Sequence, residues 1–161
     1  MKYASNIESP IGKITILADD DCVYAITFSD EETNGLSESE LTKTVAQQLT
    51  GYFRGDLKHF SFPMKQKGTE FQQGVWQNLL NIPFGETTSY AKFSAHHPLA
   101  IRAIAAANGK NNIAIVVPCH RVIGSNGKLV GYAGGLWRKQ WLLQHEREIS
   151  KQGQTALKIL T

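Results

Sequence analysis

The pattern of apolar residues changes character once along this chain, and the change limits the folds open to it. Residues 2–8, 11–18 and 22–28 read as three short strands, parted by the turn signals Ser9-Pro10 and Asp19-Asp20-Asp21. Residues 30–39 read as a polar, acidic loop. From Glu40 to Phe53, Leu41, Val45, Leu49 and Tyr52 or Phe53 recur with a helical period. Phe60-Ser61-Phe62-Pro63 reads as a short last strand of this half, and Met64–Gly68 as a linker. Helix dominates beyond it. Thr69 with Gln72 makes a capping-box signature, and Phe71, Val75, Trp76, Leu79 and Leu80 share a face that Ile82-Pro83-Phe84-Gly85 ends. Helices over about Ser89–His96 and Pro98–Asn108 suggest a helix-turn-helix, with Gly109 just past the second. A last helix runs from about Leu136 to Glu148, and 149–161 reads as a loose tail.

One apolar run departs from the helical second half. Ile113-Ala114-Ile115-Val116-Val117 reads as a buried strand that delivers Pro118-Cys119-His120-Arg121-Val122 at its end. A thiol is a nucleophile only as thiolate, and a free Cys with a pKa of about 8.5 is mostly protonated at neutral pH. Adjacent imidazole and guanidinium groups lower that barrier. Thiol chemistry alone leaves protease, redox and transferase readings open.

Charge placement narrows the partners. The chain has 161 residues, 42% hydrophobic, enough for one domain or two small ones with a real core. The net charge is only +3, which neither demands nor opposes nucleic acid. Acid gathers in 19–40, whereas 102–139 holds no carboxylate but carries Arg102, Lys110, Arg121, Lys128, Arg138 and Lys139. The cysteine motif therefore lies in a positive segment suited to an anionic partner. Cys22 and Cys119 make no CxxC spacing, and His59, His96 and His97 have no cysteines at ligand spacing, so neither a metal nor a cofactor is expected. Met1–Ser5 lacks an apolar signal core and no apolar run approaches the roughly 20 residues of a membrane span, so a reducing cytoplasm is expected. The helix with Ala100, Ala103, Ala105, Ala106 and Ala107 is either tightly packed or slim enough to enter a DNA groove.

Together these stretches resemble the O6-alkylguanine-DNA alkyltransferases, the methylated-DNA–protein-cysteine methyltransferases. The likeness lies in Phe71–Trp76, Ile82–Tyr90, Arg102–Asn111, Pro118–Ile123 and Gly131–Glu146. It implies an α/β (α+β) fold: a ribonuclease-H-like sheet-and-helix domain over 1–63 and a mainly helical DNA-binding, alkyl-accepting domain over 69–148. It implies repair of O6-alkylguanine, and of O4-alkylthymine, by irreversible transfer of the alkyl group to Cys119, one per molecule. His120 would take the thiol proton, Glu146 would orient His120, and Asn111 would tie the helix-turn-helix to the active-site strand. Glu146 borders the apolar face of Leu142 and Leu143, as an edge residue or a functional acid.

The resemblance also implies that the target base leaves the stack. Arg102 would fill the space, and Tyr90 would press on the target phosphate and donate to N3 of the guanine. Ala103, Ala106, Lys110 and Arg121 would join the DNA contacts in the minor groove of duplex DNA. Val122, Tyr132, Ala133, Gly134 and Asn108 would line the substrate pocket, with the Ala133 amide donating to O6. A monomer in a bacterial-type cytoplasm, nucleoid-associated on DNA, completes the expectation. Departures are Asn112 where Pro is usual, Ala133 where Ser is common, and a shorter connection between Tyr90 and Arg102. Two other classes compete: a non-catalytic alkylguanine sensor, in which the Cys would be replaced, and a multiple-turnover Cys-His-Glu hydrolase.

Overall fold

A computed structural model gives the architecture. It describes all residues except 30–32, 34, 97–99, 125, 126, 128–130 and 161, and for 152–160 it describes the backbone alone. Asp30, Glu31 and Glu32 of the acidic loop, His97-Pro98-Leu99 of the expected turn, and Lys128 thus lie outside the described residues. The chain divides into two units, Met1–Thr69 with Asn111–Val116, and Glu70–Lys110 with Val117–Thr161.

The first unit is an antiparallel meander of β1 (Tyr3–Ser9), β2 (Gly12–Ala18) and β3 (Val23–Phe28) with helix α1 (Glu40–Arg54) packed on β1 and β2. Ile14, Ile16, Val23 and Ile26 of the sheet are buried, as are Val45, Leu49 and Tyr52 of α1. Ser39 caps α1 by accepting from the Thr42 N–H while the Thr42 hydroxyl accepts from the Ser39 N–H, so two donors at the helix start are satisfied.

Two expectations in this unit are corrected. Residues 60–63 form no strand; only Met64 makes a bridge, to Val23, and Pro63 has no N–H to give a ladder. The run 113–117 is buried but is not a strand. Only Ile113 pairs, with Ile26, and the chain then turns at once. The Val116 N–H donates to the Ala114 carbonyl at 2.8 Å across Ile115, which stands at φ +70°. That is a γ-turn on a β-branched residue, costly backbone that breaks any pleat. Asn111–Val116, expected in the second half, clusters with the first unit because Asn112 O accepts from the Ile26 N–H and Ala114 N–H donates to Ile26 O.

The second unit contains α2 (Glu70–Leu79), α3 (Tyr90–Phe93), α4 (Ile101–Gly109) and α5 (Leu136–Leu160). A two-residue β4 (Thr88–Ser89) pairs in parallel with β5 (Val122–Ile123). Val75 of α2 packs with Ile104 and Ala107 of α4, and Phe93 and Ala100 close that cluster. The Trp76 indole N–H donates to Ala107 O at 2.8 Å, tying α2 to the end of α4. Phe71 and Leu80, expected on the buried face of α2, are instead exposed. Helix α3 ends at Phe93, short of His96, and α4 runs through Gly109 to a cap at Lys110. Helix α5 continues past Glu148 to Leu160, where a tail was expected, because no Pro or run of turn residues stops it.

Candidate active site

The cysteine sits where a sharply turning chain becomes a 3-10 turn, Cys119–Arg121. Pro118 is held at φ −83°, ψ 63°, and the Cys119 N–H donates to Val117 O at 2.8 Å across it. That inverse γ-turn points the chain into β5, whose pairing with Thr88 and Ser89 brings the start of α3 alongside. Cys119 is 8% exposed, so bulk water does not surround it.

The next residue, His120, meets Glu146. His120 Nε2 and Glu146 Oε2 are 2.7 Å apart, and their side chains are 0% and 1% exposed. Glu146 reaches this point from α5, one turn beyond the buried Leu142 and Leu143. It accepts three more hydrogen bonds: from Arg121 Nε at 2.8 Å, Arg121 Nη2 at 3.1 Å and the Gly85 N–H at 3.1 Å. Burial opposes ionisation of this carboxyl, but the charges and hydrogen bonds of His120 and Arg121 outweigh it and hold Glu146 well below the usual carboxylate range. Burial likewise pushes His120 below its ordinary value of 6.5; Glu146 opposes that shift, while Arg121 and Lys139 add to it. The outcome is a carboxylate facing a neutral imidazole. The His120 Nδ1 atom, on the other side of the ring, is buried without a hydrogen-bond partner among the described residues.

Arg121, expected among the DNA contacts, is buried. Besides its fork on Glu146, its Nη1 donates to Ile82 O at 2.7 Å, and the guanidinium lies 5.8 Å from the Phe84 ring centroid. Its position in sequence beside a buried His turns it inward with the 3-10 turn. Gly85 is required by the same arrangement: it has φ +83°, and a Cβ there would lie 2.1 Å from Ser150 Oγ.

A second set of residues gathers near Cys119. Asn108, at the end of α4, donates from Nδ2 to the Tyr90 hydroxyl at 2.9 Å and to Cys119 O at 3.4 Å. Burial and a negative charge at Cys119 raise Tyr90 above its ordinary value, so it stays a phenol. Tyr132 is raised further for the same two causes. Residues 132–135 form a tight turn closed by the Gly135 N–H on Tyr132 O at 2.9 Å, with Ala133 exposed and Gly134 half-buried. Val122 is fully buried.

Lys139 was missed by sequence reasoning. It is 0% exposed, and its Nζ donates to Val122 O at 2.7 Å and Gly131 O at 3.4 Å. Burial pushes its ammonium below the usual range, and a negative charge at Cys119 works against that shift. The signal available was its place on the apolar side of α5, four residues before Leu143; a Lys there must bury its charge or snorkel.

Asn111 lies in the first unit. Its carboxamide oxygen accepts from Gln66 Nε2 at 2.8 Å and the Ile113 N–H at 3.1 Å, and its Nδ2 donates to Ile113 O. Arg102, Ala103, Ala106 and Lys110 are all exposed on one side of α4, at successive helical turns, opposite Ile104 and Ala107. Among the described residues no group of three His, Cys, Asp or Glu side chains could hold a metal ion, and no helix is long and apolar enough to cross a membrane.

Known proteins resemble this chain over most of its length. Residues 70–148 match the family model for the 6-O-methylguanine DNA methyltransferase DNA binding domain, and 2–66 match its ribonuclease-like domain. The constitutive methylated-DNA–protein-cysteine methyltransferase of Bacillus subtilis is 44% identical over 91% of this chain and 96% of its own. The Methanosarcina acetivorans enzyme of the same description is 41% identical over 89% and 97%. The Mycobacterium tuberculosis O6-methylguanine methyltransferase superposes with a TM-score of 0.82 at 39% identity, covering 92% of this chain and 94% of that one. The same mycobacterial protein in complex with DNA gives 0.83 at 40% identity over 91% and 94%. With both family models covering nearly the whole of it, the chain belongs to the 6-O-methylguanine DNA methyltransferases, DNA-repair enzymes with a DNA-binding second half.

Proposed function

We propose that Cys119 is the alkyl acceptor and that the protein repairs O6-alkylguanine in duplex DNA once per molecule. The observation that carries this reading is the buried line from Glu146 to His120 beside the thiol, with the far ring nitrogen of His120 left to receive a proton. His120 takes the Cys119 proton at Nδ1, across one water, while Glu146 stabilises the imidazolium that forms. The sulfur attacks the alkyl carbon, the S–C bond forms as the C–O6 bond breaks, and the electron pair passes to the guanine. The buried Lys139 ammonium supplies positive charge that favours the thiolate.

The proton taken by His120 passes through solvent to the released guanine, and the charge on that base as it departs is offset by Tyr90. Its hydroxyl oxygen accepts from Asn108, which leaves its own O–H to donate toward N3 of the departing guanine. The turn at 132–135 forms a pocket lid whose Ala133 amide donates to O6, and Val122 lines the pocket. Asn111 braces the chain that enters the turn at Ile115 before the cysteine. The thioether has no leaving group that water could displace, so the sulfur is spent. O4-alkylthymine offers the same carbon–oxygen bond in the same position.

The exposed side of α4 is the DNA face. Ala103 and Ala106 let the helix approach the minor groove closely, Lys110 meets phosphate, and Arg102 fills the gap left when the base turns out. A monomer acting in the cytoplasm on the bacterial nucleoid fits this chemistry. The test is intact-protein mass after incubation with a duplex carrying one O6-methylguanine. Wild type gains one methyl group, and Cys119→Ala gains none while still shifting the duplex on a gel. A methylated Cys119→Ala protein would overturn the assignment.

A further inference from the structure

The start of α5 breaks an ordinary rule of helix electrostatics. A helix N-terminus favours carboxylates, yet the first turn of α5, Leu136-Trp137-Arg138-Lys139, has no acidic residue and holds two cations. Two cations placed there cost stability unless something else holds them. Lys139 turns inward to Val122 and Gly131. Arg138 turns back along the chain: its Nη1 donates to Gly134 O at 2.8 Å, in the turn closed by Gly135 on Tyr132. The two side chains thus grip the 131–135 loop at both ends.

Trp137 completes the grip. It is 55% exposed, an unusual place for the largest apolar side chain. The Arg138 guanidinium stands 4.6 Å from its ring centroid, and a Cβ on Gly135 would lie 3.4 Å from its Cδ1. The indole therefore covers the end of the turn and holds the guanidinium in one orientation, since a stacked Arg keeps its fork while it donates. Gly135 itself stands at φ +95°, so the turn does not fix itself through β-branched or bulky residues.

We infer that Arg138, braced by Trp137, is a positioning residue that sets the 132–135 turn and so the Ala133 amide that meets O6 of the substrate. A loop of Ala and Gly has little packing to fix it within the few tenths of an ångström that a hydrogen bond to developing charge requires. The Gly134 carbonyl is the handle by which α5 fixes it. The Arg138 charge also acts on the Tyr132 phenol, against the rise that burial imposes.

The assignment depends on Cys119 being the acceptor, and the experiment separates the two. The probe is free O6-benzylguanine, which needs the pocket but no DNA face. The rate of benzyl transfer to protein, read by mass, is compared with affinity for an undamaged duplex. Arg138→Gln lowers the free-base rate about tenfold, the weight of one lost hydrogen bond from a charged donor, while duplex affinity stays within about twofold of wild type. Trp137→Ala lowers the free-base rate about threefold and Trp137→Tyr restores it, as expected of a cation–π brace; both are surface changes that keep the fold. An unchanged free-base rate in Arg138→Gln overturns the inference. So does a loss confined to duplex binding with a shallower salt dependence, which would make Arg138 a phosphate contact. A wild-type protein that gains no alkyl group from either O6-benzylguanine or an O6-methylguanine duplex would remove the acceptor reading as well.

Discussion

Replacing Arg121 by Leu removes two of the four donors around a buried carboxylate while keeping an apolar side chain of similar reach. Glu146 would retain His120 and the Gly85 N–H but lose its full-time cation, and Ile82 O would lose its donor at 2.7 Å. Breaking a buried ion pair from one side costs about 3–5 kcal/mol. The lower end applies, because two partners stay and the carboxyl can take up a proton. A loss of about 3 kcal/mol in a chain of this size corresponds to a fall in melting temperature of roughly 6–12 °C. Calorimetry at pH 7.5 reads it. A double-mutant cycle with Glu146→Gln isolates the pair, since the second substitution should cost far less once the first is made. If Arg121→Leu melts within about 2 °C of wild type, or the two losses simply add, Arg121 is not the clamp on Glu146.

Three further outcomes follow from the same geometry. His120 and Glu146 both bind fewer protons folded than unfolded, so stability is fully present above pH 6.5, declines as pH falls below the ordinary value of His120, and declines again below 4.5, the ordinary value of Glu146; urea titrations across pH 4–8 read this, and a stability maximum at acid pH would contradict it. Gly85→Ala places a methyl into Ser150 at a positive φ and lowers stability by about 1–3 kcal/mol, measured by chemical denaturation. Arg102→Ala slows transfer from duplex at least tenfold yet leaves the reaction with free O6-benzylguanine near wild type, because only the duplex has a gap to fill.

Much of the frame was legible from local pattern. The strands of the first unit and helix α1 carry their turn signals and period in consecutive residues. The misreadings share a cause: long-range partners override local preference. Ile113–Val117 has the composition of a strand, but Ile115 at φ +70° folds it into a turn that no propensity scale favours. Phe71 fits the helical period of α2 and still faces outward, because the buried stripe is narrower than the apolar one, while Leu80 falls just past the end of the helix. Cys119, His120 and Glu146 are chemical types whose roles the motif and the resemblance marked. Arg121 and Lys139 are not, since a cation in a positive segment reads as surface until the fold shows what it touches.

The most direct test of the account is stoichiometry. A duplex with one O6-methylguanine is supplied in tenfold excess over protein, and restored guanine is counted over time. One guanine per protein molecule followed by a flat plateau is the predicted result, with the methyl group recovered on the peptide that holds Cys119. Guanine that keeps accumulating past one per molecule, or a methyl group found on Cys22, would contradict it.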